Sequence, residues 1–361
     1  MNDVLITGGD GYLGRRLALQ LLQHGDQPVF LWVRAKDTSE FKEKGQNLCH
    51  ELCETGGRLR LYWGDLRSED PFHSIHAADV GTIVHTAAVT RFNVDHDTAK
   101  MVNVDGTEKV LQFANRCPNL SQLILLSTIY ASGLRHGNIK EVPFNGEEGF
   151  SNFYEWSKWS SEQLLIQHYS HLPWKLLRTA TVIADSDEGR VTQQNAFHNT
   201  LKLIYYGLLS ILPGKPSTPL YFVTGRFAVE ATCELMQNQQ TAAIYHVAHT
   251  RSESLSLGKM IDLIFEIFEQ EDDFRKRRIL KPLYSDSESF RLLVDAVNQF
   301  GGGVVNQAVS SVAPFSLQLY LDKEVDNTNL KNALRSYHAP DAAELIRNTC
   351  RFLLKTRWGK K

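Results

Sequence analysis

The chain has 361 residues, with 39 Lys plus Arg against 41 Asp plus Glu and a formal net charge of −2. Without a strong sign, its surface has no electrostatic reason to seek nucleic acid, and a substrate-binding or catalytic role is more natural. The length is large for one domain but usual for an α/β fold with a smaller lobe appended to its core.

The first strand begins by Asp3, which leaves no room for a charged and then apolar leader, so no secretion signal is expected. Val4-Leu5-Ile6 reads as a short buried strand. Thr7-Gly8-Gly9-Asp10-Gly11-Tyr12-Leu13-Gly14 then makes a tight turn into a helix in which Leu13, Leu17 and Leu21 recur every four residues. A second strand, Pro28 to Val33, ends at Arg34; a third, Leu59 to Trp63, ends at Gly64-Asp65; a fourth, Thr82 to His85, ends at Thr86-Ala87-Ala88. A helix carrying Asn103 to Ala114 leads to a fifth strand, Gln122 to Leu126, that runs into Ser127-Thr128. A loop from Ser132 to Ser151 delivers the helix with Tyr154 and Lys158, and Leu176 to Ile183 reads as a sixth strand. Beyond Asp185 the periodicity weakens, although Ala243 to Val247 reads as a strand and Leu257 to Phe268 as a helix, while Gly301-Gly302-Gly303 reads as a loop or tight turn.

Strands alternating with helices predict an α/β fold: a doubly wound parallel sheet of Rossmann type with a smaller C-terminal substrate lobe. Residues 1–184 are expected to form the Rossmann core, and residues 185–361 the smaller lobe and the completion of the core. Cys49, Cys53, Cys117, Cys233 and Cys350 are odd in number and scattered, which fits a reducing cytoplasm better than a disulfide framework. Cys49, His50 and Cys53 could share a helical face, but nothing completes a set of four ligands, so no metal is expected. The apolar run Leu201 to Leu212 is broken by Lys202, Gly207 and Ser210 and stops at Pro213. That is short of the roughly 20 residues a membrane-spanning helix needs, and the run fits either core packing or the wall of an oily pocket.

Three features carry chemistry. Gly8, Gly11 and Gly14 open a helix directly after a strand, where backbone amides and the helix N-terminus can meet a pyrophosphate. Arg34 closes the second strand, where an acidic residue would meet a ribose 2′-hydroxyl and an arginine can meet a 2′-phosphate, so NADP(H) is favoured over NAD(H). Tyr154 and Lys158 lie four residues apart on one helical face, where the ammonium favours the phenolate and lowers the tyrosine pKa toward proton transfer.

Over residues 3 to 250 the chain resembles the extended short-chain dehydrogenase/reductases. The shared segments are Thr7-Gly8-x-x-Gly11-x-x-Gly14, Gly64-Asp65-Leu66, His85-Thr86-Ala87-Ala88, Asn103-Val104-Asp105-Gly106-Thr107, Ser127-Thr128 and Tyr154-x-x-x-Lys158. Within that superfamily, His85 to Asn93, Leu126-Ser127-Thr128 and Tyr154-Glu155-x-Ser157-Lys158-x-x-x-Glu162 look most like the male-sterility group of fatty acyl-CoA reductases and thioester reductase domains. The resemblance implies a cofactor site made by Thr7, Gly8, Gly11, Tyr12, Leu13, Gly14, Arg34, Asp65, Leu66, Ala87, Ala88, Asn103, Tyr154 and Lys158. In it, Asp65 faces the adenine and Asn103 positions the nicotinamide side. It also implies a catalytic set of Thr128, Tyr154 and Lys158, with Tyr154 as proton donor, Lys158 on the ribose hydroxyls and Thr128, rather than Ser127, on the substrate oxygen.

The expected activity is NADP(H)-dependent reduction of a carbonyl, with a CoA- or carrier-bound acyl thioester as first choice and an aldehyde or ketone on an apolar chain beside it. Relatives often dimerise, which implies a homodimer by analogy. The group's Arg-Pro appears here as Arg178-Thr179, its Gly-Asp-Ser-x-Thr-Gly as Ala184-Asp185-Ser186-Asp187-Glu188-Gly189, and its Val-Asp as Val223-Thr224. These departures bear on the substrate. A sugar-nucleotide dehydratase would carry an Asp-Glu pair where this chain has Ile129 and Tyr130, so elimination is disfavoured while an epimerase or ketoreductase stays open. A protein that senses NADP(H) without turnover is the reading from another class, and an intact Thr128, Tyr154 and Lys158 argues against it.

Overall fold

The structure, a computed structural model, describes residues 3–52, 57–300 and 303–359. Seven strands form one parallel sheet: β1 Asp3–Thr7, β2 Val29–Arg34, β3 Leu59–Gly64, β4 Val80–His85, β5 Gln122–Thr128, β6 Trp174–Thr179 and β7 Ala243–Val247. Their order is β7-β6-β5-β4-β1-β2-β3. Strand β1 pairs with both β2 and β4, with Ile6 opposite Leu31 on one side and Val84 on the other. The order reverses at β1, so a crevice opens between the carboxyl ends of β1 and β4, the usual ligand position in such sheets.

Successive strand residues face opposite sides, and both sides are buried. Val4 and Ile6 join Leu31, Val84 and Leu177 in one cluster, while Leu5 joins Phe30, Ile83, Leu125 and Leu176 in the other. This double burial explains why the strands read as unbroken apolar runs.

The sixth strand departs from its predicted span. Hydrogen bonding to β7 ends as Ala180 N–H donates to Val247 O at 3.0 Å, and Thr181 N–H then donates to Tyr221 O. The chain leaves the sheet, and Thr181–Ala184 pairs with Phe222–Thr224 instead. From this exit the lobe is built around a third cluster, in which Leu201 and Ile204 of helix Ala196–Tyr205 meet Met260, Ile261 and Ile264 of helix Leu257–Phe268 and Leu345 of helix Ala342–Lys355. A further pair, Gly137–Ile139 with Lys323–Val325, fastens the C-terminal segment to the loop before the Tyr154 helix.

Gly303 opens a helix, Gly303–Val312, whereas Gly301 and Gly302 lie outside the described residues, as does Cys53. Among the described residues no group of three or more His, Cys, Asp or Glu is placed to hold a metal ion, and no helix is long and apolar enough to cross a membrane.

Candidate active site

The glycine turn is shaped by close approach. Gly8 has φ of +70°, and a Cβ there would lie 2.8 Å from the Cα and the backbone N of Ala87. A side chain would therefore push the β1 turn off the β4 turn as well as strain the backbone. A Cβ at Gly14 would meet Gly8 O at 2.3 Å, so glycine is what lets the helix pack on the turn. Gly11 is the N-cap of helix α1, Tyr12–His24, and offers no side-chain acceptor to the first-turn amides. An uncapped, glycine-lined helix N-terminus at the sheet's switch point fits a pyrophosphate.

The polar residues around the turn mostly hold it together. Thr107 donates to Asn103 O, so His85 Nε2–H must donate to Thr107 Oγ1 at 3.1 Å, and His85 Nδ1 then accepts from Thr7 Oγ1 at 2.7 Å. Burial, aided by the Lys158 charge, pushes the His85 pKa down to about 3 and keeps the ring neutral. Thr7 thus ties β1 to β4 through its hydroxyl. Tyr12 turns its phenol toward the lobe, where it donates to Asp185 Oδ1 at 2.8 Å. Leu13 packs against the core, and the amides of Tyr12 and Leu13 belong to the open first turn.

Arg34 is the exposed last residue of β2, and its guanidinium makes no hydrogen bond or ion pair among the described residues. Asp65 follows β3, and its carboxyl is held below the usual range by hydrogen bonds from Arg67 and by the nearby charges of Arg67 and Arg34. Leu66 is buried against Gly106. Ala87 and Ala88 are held from behind by Asn103: Val89 N–H donates to Asn103 Oδ1 at 2.8 Å, and Asn103 Nδ2 donates to Val89 O and Ser157 Oγ, each at 2.9 Å. Asn103 sits in a π-helical turn, Lys100–Val104, a distortion common at functional sites. The amide thereby joins the β4 turn to the Tyr154 helix.

That helix, α2 in Phe153–His168, is capped by Asn152, whose side chain accepts from Glu155 N–H at 3.0 Å, while the Glu155 carboxylate returns to Ser151 N–H. Ser127 and Thr128 part ways at the end of β5, as alternating strand residues must. Ser127 Oγ donates to Glu162 Oε1 at 2.5 Å, inside a fully buried Glu162–Arg178 pair of 2.7 Å. Thr128 instead faces the Tyr154 phenol, where its hydroxyl favours the phenolate. Burial outweighs that influence and raises the Tyr154 pKa, the reverse of the direction expected from the Tyr154 and Lys158 spacing. The lysine explains the difference. Its ammonium donates to Leu126 O at 2.7 Å, and burial, opposed by Glu162, pushes it down to about 8.

Phe92 stands edge-on to Tyr154 with ring centroids 5.7 Å apart, and it also contacts Tyr130 and Phe315. From these rings a cleft of about 700 Å³ runs into the lobe, and twelve of its sixteen lining residues have wholly apolar side chains. The run Leu201 to Leu212 divides between the two expected roles: Ile204 and Leu212 line the cleft, while Leu201, Tyr205 and Leu209 pack in the lobe core. Phe92 lies inside His85 to Asn93, a segment that carries the resemblance, and Tyr130 lies two residues past Ser127-Thr128, but neither position by itself announces a cleft. Phe315 and Gln318, more than 150 residues further on, gave no local signal.

The chain is similar to several known proteins. The chain matches the fatty acyl-CoA reductase 2, chloroplastic, of Arabidopsis thaliana at 29% identity, covering 39% of this chain and 26% of that protein. It matches the carboxylic acid reductase of Segniliparus rugosus at 31%, covering 51% of this chain and 18% of that one. The chain thus spans about a quarter or less of these relatives' own length. With the alcohol-forming fatty acyl-CoA reductase of Simmondsia chinensis it shares 22% over 348 residues, covering 73% of this chain and 70% of that protein. In fold it is similar to the terminal R domain from the myxalamid PKS-NRPS biosynthetic pathway, with a TM-score of 0.78, 18% identity, and 99% of this chain and 92% of that chain covered. Residues 6–232 match the male sterility protein family, so the chain belongs to that family, within the extended short-chain dehydrogenase/reductases.

Proposed function

We propose that the protein reduces the carbonyl of an acyl group on an apolar chain, presented as a CoA- or carrier-bound thioester or as the aldehyde, with NADP(H) as its cofactor. The observation that carries this reading is the cleft beside Tyr154, whose wall is apolar at twelve of sixteen residues. A sugar nucleotide would ask for donors and acceptors along its whole length, and four polar side chains are few for that.

The bound nicotinamide supplies the hydride. Tyr154, kept protonated by burial, gives its phenolic proton to the carbonyl oxygen as charge develops there, and Thr128 hydrogen-bonds the same oxygen. Lys158, a buried ammonium on the same helix, holds the ribose hydroxyls. Arg34, exposed and unpaired among the described residues, takes the 2′-phosphate. The four described cysteines are free thiols, which suits a reducing compartment such as the cytoplasm.

NADPH oxidation with an acyl-CoA, the matching aldehyde and a β-keto ester, together with chromatography of a UDP-sugar incubated with the enzyme and NAD(P)+, because epimerisation consumes no net cofactor, tests the proposal. Acyl-CoA or aldehyde turnover supports it. Turnover of the sugar without acyl activity replaces it with an epimerase, turnover of the ketone alone makes it a ketoreductase, and NADPH binding without turnover of any substrate makes it a sensor.

A further inference from the structure

The polar atoms in the cleft wall are few, and two of the groups that carry them have hydrogen-bonding capacity to spare. Gln318 lines the cleft from the short helix Ala313–Tyr320, three residues after Phe315 and so on the same face of a 3₁₀ turn. Its Nε2 donates to Gly133 O at 3.1 Å and to Glu155 Oε2 at 2.9 Å. A backbone carbonyl can only accept, so the nitrogen has to be on that side and Oε1 on the other. Oε1 has no partner among the described residues, nor is it one of the sealed orphan atoms. It is an acceptor in the wall of an otherwise oily cleft.

Tyr130 and Thr181 supply the complement. Their hydroxyls lie 3.1 Å apart, and that bond uses one of the two O–H hydrogens. Neither hydroxyl has another partner among the described residues, which leaves one hydrogen to give. The two groups are neighbours through one turn: Tyr130 belongs to Ile129–Ser132, and Gly133, which closes that turn, is the residue that accepts from Gln318. Phe92 packs on Tyr130, Tyr154 and Phe315, so this polar spot lies at the Tyr154 end of the cleft. A plain alkyl chain would cover one acceptor and one donor without satisfying either.

We propose that the acyl chain carries a hydroxyl group close to its reacting carbonyl. Gln318 Oε1 accepts a hydrogen bond from that hydroxyl, and the Tyr130 and Thr181 hydroxyl pair donates one to it. A hydroxyl is the smallest group that gives and accepts at one atom. This inference rests on the acyl-reductase reading and specifies its substrate class.

The test is kcat/KM of the full chain with NADPH for a β-hydroxyacyl-CoA against the saturated acyl-CoA of equal length. The wild type should favour the hydroxylated chain by on the order of 10-fold or more. The double variant Tyr130→Phe with Thr181→Val removes both hydroxyls, and with them the spare donor, without touching the Gln318 and Glu155 bonds, and Gln318→Met removes the acceptor from a different element; each should bring the ratio toward one. Equal use of both acyl-CoAs by the wild type, or an unchanged ratio in both variants, overturns the inference while leaving acyl reduction intact. Turnover of the ketone or sugar alone, with neither acyl-CoA used, overturns the acyl reading and this inference with it.

Discussion

Lys158 shares a helical face with Tyr154 but gives its hydrogen bond to the Leu126 carbonyl, at 2.7 Å. The lysine is thus held against the end of β5, two residues before Thr128, and the phenol is left protonated by burial. A neutral phenol is the form that a proton donor needs at the start of a reduction.

Tyr154→Phe should therefore lower kcat on the order of 10²-fold or more while leaving the NADPH dissociation constant nearly unchanged, because only the acid is removed. Stopped-flow hydride transfer together with cofactor titration checks both halves. Near-normal turnover in this variant would sink the role given to Tyr154.

NADPH should bind more tightly than NADH, and Arg34→Asp should erase or reverse the preference. A charge-assisted contact between arginine and phosphate is worth roughly 1.5–3 kcal/mol, or about 10- to 150-fold in affinity. Fluorescence titration with both cofactors decides, and equal binding by the wild type would leave Arg34 a surface residue.

Lys158 imposes a stability cost that depends on pH. Burial moves its pKa from the ordinary 10.5 down to about 8. Below pH 8 the lysine is charged in both the folded and the unfolded chain, and the folded state bears the full cost of burying that charge. Between pH 8 and 10.5 the folded chain has released the proton and the unfolded chain has not, so this contribution to stability rises with pH across that window. After allowance for the lost bond to Leu126, Lys158→Met should be more stable than the wild type by about 1–3 kcal/mol at neutral pH, with the gap closing above pH 8. The same variant should lose turnover and cofactor affinity. Denaturant unfolding at several pH values provides the measurement; a variant less stable at neutral pH would contradict it.

The Glu162 and Arg178 side chains are both fully buried, and Ser127 adds a third member to their network. Glu162→Gln should cost about 3–5 kcal/mol, since it leaves an uncompensated guanidinium under the active site. The double variant Glu162→Leu with Arg178→Met should recover most of that loss. Urea midpoints for the three proteins would show it, and a double variant no better than the single one would refute the argument.

Much of this protein was determined locally and could be read along the chain. The run Val4-Leu5-Ile6 followed by three spaced glycines specifies strand, turn and helix because each step depends on neighbours within a few residues. Asn152 with Glu155 marks the start of the Tyr154 helix for the same reason. Tertiary structure alone decided the rest. Ser127 and Thr128 are chemically alike, and only the register of β5 against β6 and the helix above turns one into the Glu162 network and the other toward Tyr154. The break at Ala180 follows from Val247 and Tyr221 competing for successive amides, a choice made by residues 40 to 70 positions away. The direction of the Tyr154 pKa was likewise hidden, because spacing places a charge near the phenol while packing decides how much water both have lost. The cleft is the furthest from the sequence: Phe92, Tyr130, Thr181 and Gln318 come from four separate segments, and nothing in their local patterns says they will meet.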